Sequence, residues 1–221
     1  MSASRSWPLF PRRHPSAFLL AAQLLSLLLY PAMDNTQEGR LLFGAVALVV
    51  IPLAVWVVNR SPSSTGIAWL LAVPAIALTA AGVALGLPRM LPWSASLEAL
   101  LYFYAAGSLI HYMLRDPHVT SDDLFAAGAT FTLLAWGFAY AYFVCQAWLP
   151  DSFTGLQPAR PRTWVELLFL SFTNLSATGA GDVIPVRAPA RVLVMLEQFA
   201  GVGYVAEVVS RLIGLTLTRA S

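Results

Sequence analysis

Apolar residues fall in long blocks separated by short polar turns. The blocks occupy residues 16–33, 41–58, 66–87, 94–114, 123–149 and 189–217. Each is close to or above the length a helix needs to cross a hydrocarbon core about 30 Å thick. A further apolar run at 164–175 is too short to span. It has to dip into the bilayer and return, which irregular backbone does only where protein or water lines it. The pattern therefore predicts an all-α integral membrane protein with six transmembrane helices and one re-entrant helix. Pro52 is expected to kink the second block, and the Ala- and Gly-rich third block lets its neighbours approach closely. Trp93 sits in a turn where an interfacial aromatic belongs. Arg5, Arg12 and Arg13 precede the first block in the manner of a signal peptide. However, the sequence Tyr30-Pro31-Ala32-Met33-Asp34 offers no small-x-small cleavage pattern, so a retained first span is expected.

Composition agrees with the pattern and narrows the function. Of 221 residues, 58% are hydrophobic and 11% charged, with a mean hydropathy of +0.69. A soluble domain has too little interior for that much apolar side chain. The net charge of +2 is too small to suggest nucleic-acid binding, and nothing points to a cofactor or a soluble small-molecule substrate. All 13 basic residues are Arg. Their placement, with Arg60, Arg115, Arg211 and Arg219 on one side of six spans, puts both termini in the cytoplasm by the positive-inside rule. The single Cys145 excludes an intrachain disulfide and reads as a buried thiol. The fourth block carries Glu98, His111 and Arg115 but no ladder of basic residues. A voltage sensor gains only about 2.3 kcal/mol per charge per 100 mV, so it needs such a ladder. A scaffold bundle is expected instead.

The candidate chemistry lies in residues 167–182, LLFLSFTNLSATGAGD. A short apolar helix gives way to small and polar residues, with Gly179 and Gly181 flanking Ala180, then Asp182 and Pro185. Glycine reaches φ > 0 without steric cost, so the backbone here can turn its carbonyls where other residues cannot. A short helix, a carbonyl-presenting strand and an acidic exit between two membrane helices form the plan of an ion selectivity filter. An ordinary turn between two helices is the plainer alternative, but it leaves the preceding apolar helix unplaced. Gly179-Ala180-Gly181-Asp182 also matches the G-x-G-D motif of intramembrane aspartyl proteases. That chemistry needs a second carboxylate at membrane depth. Asp122 and Asp123 sit instead at the start of the fifth block, on the face opposite Asp182.

The segment resembles the pore region of tetrameric potassium channels, especially small bacterial members. Their signature T-T-V-G-Y-G-D aligns with Ser176, Ala177, Thr178, Gly179, Ala180, Gly181 and Asp182, followed by Pro185. The resemblance runs on through Ala190, Arg191, Leu196, Glu197, Gly201, Tyr204, Ala206, Arg211, Leu212 and Gly214. It covers the chain from Val119 onward. The signature Thr and Tyr are both Ala here, at 177 and 180, and the signature Val is Thr178. The resemblance implies a homotetramer in the cell inner (plasma) membrane, in contact with lipids. Residues 1–118 would form a peripheral four-helix bundle and 119–221 the pore domain. Main-chain carbonyls of Ala177, Thr178, Gly179, Ala180 and Gly181 would bind K⁺, with Na⁺ a second candidate. Asp182 would stand at the pore entrance. Gly201 and Gly203 would supply a gating hinge or a close helix contact. Glu207 and Arg211 would lie at the inner pore, or pair with each other and staple the helix end. In similar channels an acidic residue at the place of Glu197 packs behind the filter. The two Ala substitutions predict weakened selectivity for K⁺, and also leave open a non-conducting or heteromer-forming subunit.

Overall fold

The computed structural model describes residues 15–33, 52, 55, 65–115, 121–156 and 160–220. The helices are α1 (Pro15–Met33), α2 (Thr65–Ala84), α3 (Leu91–Arg115), α4 (Ser121–Trp148), α5 (Trp164–Leu175) and α6 (Ala188–Ala220). A 3-10 turn, Pro88–Met90, joins α2 to α3. Two two-residue strands, β1 (Phe153–Thr154) and β2 (Ile184–Pro185), pair antiparallel with Phe153 opposite Pro185 and Thr154 opposite Ile184. These bounds follow the apolar blocks to within a few residues, because polar turns leave little else to end a membrane helix. The second predicted span, residues 41–58, lies outside the described residues except for Pro52 and Val55, both helical.

Among the described residues three helices are both long and apolar enough to cross a membrane: Leu91–Arg115, Asp122–Trp148 and Ala188–Arg211. The apolar stretches of α1 and α2, Ser16–Leu29 and Gly66–Gly82, are shorter. With their flanking turns these two helices have 19 and 20 residues. At 1.5 Å per residue they measure about 28–30 Å, close to one hydrocarbon thickness.

Helix α4 is the common support: α1, α3, α5 and α6 all pack on it, and α2 packs on α3. A helix touched on every side has no polar face to spare, and α4 is apolar all round. Small residues allow the approach. A Cβ on Gly128 would lie 2.9 Å from Leu20 of α1, and one on Gly137 would lie 3.0 Å from the ring of Phe103 of α3. Helix α1 runs parallel to α4. The Ser16 backbone N–H and hydroxyl donate to the Asp122 carboxylate at 3.3 and 3.0 Å, and the Gln23 amide donates to the Ala129 carbonyl at 3.5 Å. Helix α3 is antiparallel, with Tyr102 stacked on Tyr140 and Trp93 edge-on to Trp148. Trp93 and Trp148 are exposed at the same end, as aromatics at a membrane–water interface are. No basic ladder runs along α3. Glu98 is buried and accepts from Thr79 at 3.1 Å, while His111 and Arg115 are exposed at the far end.

Asp122 binds the first turn of α1 across the helix pair, where orphan N–H groups gather. Asp122→Ala should cost about 1–2 kcal/mol. A lowered midpoint in detergent-solubilised thermal unfolding is the expected result.

Candidate ion-conduction site

The site begins where α5 begins. Thr163 is extended (φ −70°, ψ 162°) and caps the helix in a reciprocal box with Glu166. The Thr163 N–H donates to the Glu166 carboxylate at 2.7 Å, and the Glu166 N–H donates to Thr163 Oγ1 at 3.3 Å. This satisfies donors the helix itself leaves unpaired. The Arg160 guanidinium grips the same carboxylate in a fork, at 2.9 and 3.0 Å. Partial burial pushes the Glu166 carboxyl up, but the Thr163 and Arg160 donors together outweigh it and hold the group below its ordinary value of 4.5.

From this cap α5 descends antiparallel along α4. Trp164 lies on Tyr140, with ring centroids 4.2 Å apart, and Phe172 lies edge-on to Phe131. Between them the Ser171 hydroxyl contacts the Ala135 carbonyl at 2.7 Å. The chain then returns to the end it came from. β2 pairs with β1 just beyond the end of α4, and Val186 N–H donates to the Ser152 carbonyl at 2.8 Å. The segment between entry and return is re-entrant in geometry, as the short apolar run predicts.

Residues 176–182 follow directly from how α5 ends. The last carbonyls of a helix lack internal partners. Here the following residues supply them. Ser176 N–H donates to the Phe172 carbonyl at 3.1 Å and Ala177 N–H to that of Asn174 at 3.0 Å. Thr178 and Gly179 N–H both donate to the Thr173 carbonyl, at 3.0 and 3.1 Å. The Thr178 hydroxyl joins them there at 3.2 Å, so this side chain turns back onto α5 as a brace. Four successive N–H groups thus point one way. Ala177 (φ 57°) and Gly179 (φ 63°) are left-handed, with Thr178 between them. For Ala177 that conformation costs roughly 1–2 kcal/mol, held by the bonds just named. Among the described residues no hydrogen bond ends on the carbonyls of Ala177, Thr178, Gly179, Ala180 or Gly181. Residues 177–180 are exposed, and so is Asp182. The first residues of the segment, Ser176 to Gly179, direct their N–H groups at α5, while the carbonyls from Ala177 to Gly181 accept no such bond.

Helix α6 holds α5 from the other side through one stripe: Ala190, Val194, Glu197, Gly201 and Tyr204 are all buried. Glu197 is 0% exposed. Tyr142 of α4 and Ser171 of α5 both donate their hydroxyls to its carboxyl oxygens. One turn on, Gly201 lies against the end of α5. A Cβ there would sit 2.1 Å from the Leu175 carbonyl oxygen. Next, the Tyr204 hydroxyl donates to the Ala127 carbonyl of α4. Gly201 is thus at a close helix contact, whereas nothing lies within 4 Å of a Cβ on Gly203. Glu207 is exposed and Arg211 half-buried, one turn apart below the last contact of the stripe. The opposite face of α6 is bare, with Phe199 82% exposed and Met195, Val202 and Val205 also open.

Sequence reasoning missed Ser171, Tyr142 and Arg162 as parts of this site. Ser171 could have been flagged as a hydroxyl inside an apolar helix; Tyr142 carried no signal in an aromatic-rich span. The protease alternative fails on distance. Asp122 and Asp123 open α4 while Asp182 lies beyond its far end, and 28 helical residues separate the two levels by about 40 Å.

Residues 128–217 match the family model described as an ion channel. The match begins in the second turn of α4 and takes in α5, the carbonyl-bearing segment and most of α6. No curated protein and no solved structure matches the chain. The family match supports an ion channel and not an enzyme.

Glu197→Ala leaves the Tyr142 hydroxyl buried without its acceptor, which should cost about 1–3 kcal/mol, whereas Glu197→Gln keeps an acceptor and should stay near the wild type in chemical unfolding. Gly201→Ala should cost about 3 kcal/mol or more, because the new carbon collides with backbone rather than a movable side chain. The Glu166 contribution has the sign of a depressed carboxyl. It is fully present above the ordinary glutamate value and is lost as pH falls through the lowered one. Acid unfolding monitored by near-UV circular dichroism should therefore lose part of its pH dependence in Glu166→Gln.

Proposed function

We propose that four copies of this chain surround an axis and conduct monovalent cations passively between the carbonyls of Ala177, Thr178, Gly179, Ala180 and Gly181. The supporting observation is the separation of donors and acceptors in that segment. A dehydrated cation needs oxygens to replace its water, and rings of main-chain carbonyls supply them. One chain offers one strand, so a closed ring needs several copies. The C-terminus of α5, with its partial negative charge, favours a cation in the space below the strand. Asp182 adds a formal negative charge at the entrance. The bare apolar face of α6 is then covered by lipid and by neighbouring copies, in the plasma membrane, with both termini cytoplasmic.

The ion preference is K⁺-like but weak. Ala177 brings no hydroxyl to the innermost site, and Ala180 brings no ring to wedge the strand against α5. The Thr178 brace acts only at the inner end. Na⁺ therefore permeates alongside K⁺.

Reconstitution in liposomes with a K⁺ or Na⁺ gradient tests both statements. The wild type should carry flux with a Na⁺/K⁺ permeability ratio approaching one. A ratio far below one would refute the weak selectivity, and silence of a purified homotetramer would favour a non-conducting or heteromer-forming subunit instead. Gly179→Val should abolish flux. Its side chain enters open space, but a β-branched residue at φ 63° cannot hold the left-handed turn that aims the carbonyls.

A further inference from the structure

The outer end of the carbonyl strand lacks the aromatic wedge that Ala180 cannot supply, yet it is not left unsupported. Arg162 lies directly behind it. Its side chain is 1% exposed, a rare state for a group that stays charged under all ordinary conditions. The backbone on either side of that side chain is fixed by α4. The Gln146 side-chain amide accepts from the Arg162 N–H at 3.0 Å and donates to the Arg162 carbonyl at 2.9 Å. The guanidinium is fixed as well. Nη2 donates to the Arg160 carbonyl, and Nη1 stands 3.7 Å from the Glu166 carboxylate at the head of α5.

Above the guanidinium lies Gly155, the residue after β1. A Cβ on Gly155 would fall 2.6 Å from Arg162 Nη1 and 3.3 Å from the Asp182 carbonyl oxygen. A side chain there would have to displace the guanidinium and would crowd the Asp182 carbonyl. The arrangement forms a continuous path: α4 through Gln146, then Arg162, then Gly155 and the Asp182 backbone. It starts on the most firmly packed helix and ends two residues beyond Ala180. The Arg160 side chain is exposed and grips the Glu166 carboxylate from the solvent side.

We propose that Arg162 is a positioning residue for the outer end of the filter segment. Its planar fork, buried between the head of α5 and the Gly155–Asp182 backbone, sets where the last carbonyls of the filter stand and so how sharply K⁺ is distinguished from Na⁺. This role rests on the conduction reading given above and deepens it. The support comes from behind the strand, through backbone contact, where a ring at position 180 would have come from its side. Because the fork geometry matters and not the charge alone, Lys is not an adequate replacement.

The test uses the full-length chain in liposomes, with Na⁺/K⁺ permeability ratios taken from reversal potentials. Arg162→Met removes the charge, Arg162→Lys keeps it without the fork, and Gly155→Ala displaces the guanidinium without touching Arg162. All three should raise the ratio from its wild-type value to one, because the remaining preference for K⁺ is lost when the last carbonyls move. If the Arg162 variants do not fold, Gly155→Ala alone carries the comparison. Variants that assemble normally and conduct with the wild-type ratio overturn the proposal while leaving the channel reading intact. A wild type that conducts nothing overturns the channel reading, and this role with it. A shift in Arg162→Met that Arg162→Lys fully rescues assigns the effect to charge and refutes the positioning role.

Discussion

A carboxyl group with no exposure to solvent, set in a helix read as crossing a membrane, has to be satisfied by its neighbours or not exist there. Glu197 is satisfied by two hydroxyls that come from two other helices, Tyr142 on α4 and Ser171 on α5. Apolar packing between membrane helices is weakly directional, since lipid chains are as apolar as the side chains they would replace. A hydrogen-bonded carboxyl is directional. It admits one register of α6 against α4 and α5. Gly201 against Leu175 and Tyr204 on Ala127 fall in the same stripe and agree with that register. Slide α6 by one turn and Glu197 loses both partners while a side chain is driven into the end of α5.

With α5 held in depth and tilt, the rest of the site is a matter of counting donors and acceptors. A helix that ends inside protein has carbonyls to satisfy, and the chain leaving α5 satisfies them with its own N–H groups and with the Thr178 hydroxyl. The turn that achieves this puts Ala177 and Gly179 at positive φ. Among the described residues no hydrogen bond ends on the carbonyls of these same residues. In water such groups are hydrated; lining a narrow passage, they are ligands for a cation. Beyond these carbonyls, the short β1–β2 ladder ties the exit of the segment to the end of α4, with Arg162 beneath Gly155.

The peripheral helices are continuous with this arrangement. α1 and α3 rest directly on α4, and Tyr140 of α4 meets both Tyr102 of α3 and Trp164 of α5. The bond from α1 to Asp122 and the bond from Tyr204 to Ala127 both meet the first two turns of α4. The first two turns of α4 thus join α1 to α6. Beyond Tyr204, most α6 residues from Val205 to Ser210 are exposed.

What the amino-acid order determined by itself was whatever depends on local rules. Apolar block length placed the ends of α3, α4, α5 and α6 to within a few residues. The shortness of one block required a re-entrant turn, and Gly179 marked one left-handed position of the segment, while the other fell on Ala177 and not on Gly181. Thr163 and Glu166 encode their own capping box, because both partners lie within one helical turn. The tertiary structure decided everything that joins residues far apart in the chain. Ser171, Tyr142 and Glu197 meet only because three helices converge, and no spacing in the sequence relates them. Arg162, one of two arginines in a Pro-rich loop, looks like a surface charge until Gly155 and Asp182 are folded over it. Gly201 reads equally as a hinge or a contact until the Leu175 carbonyl is found against it. Periodicity reports which face of a helix is apolar; it carries no information about which other helix that face will meet.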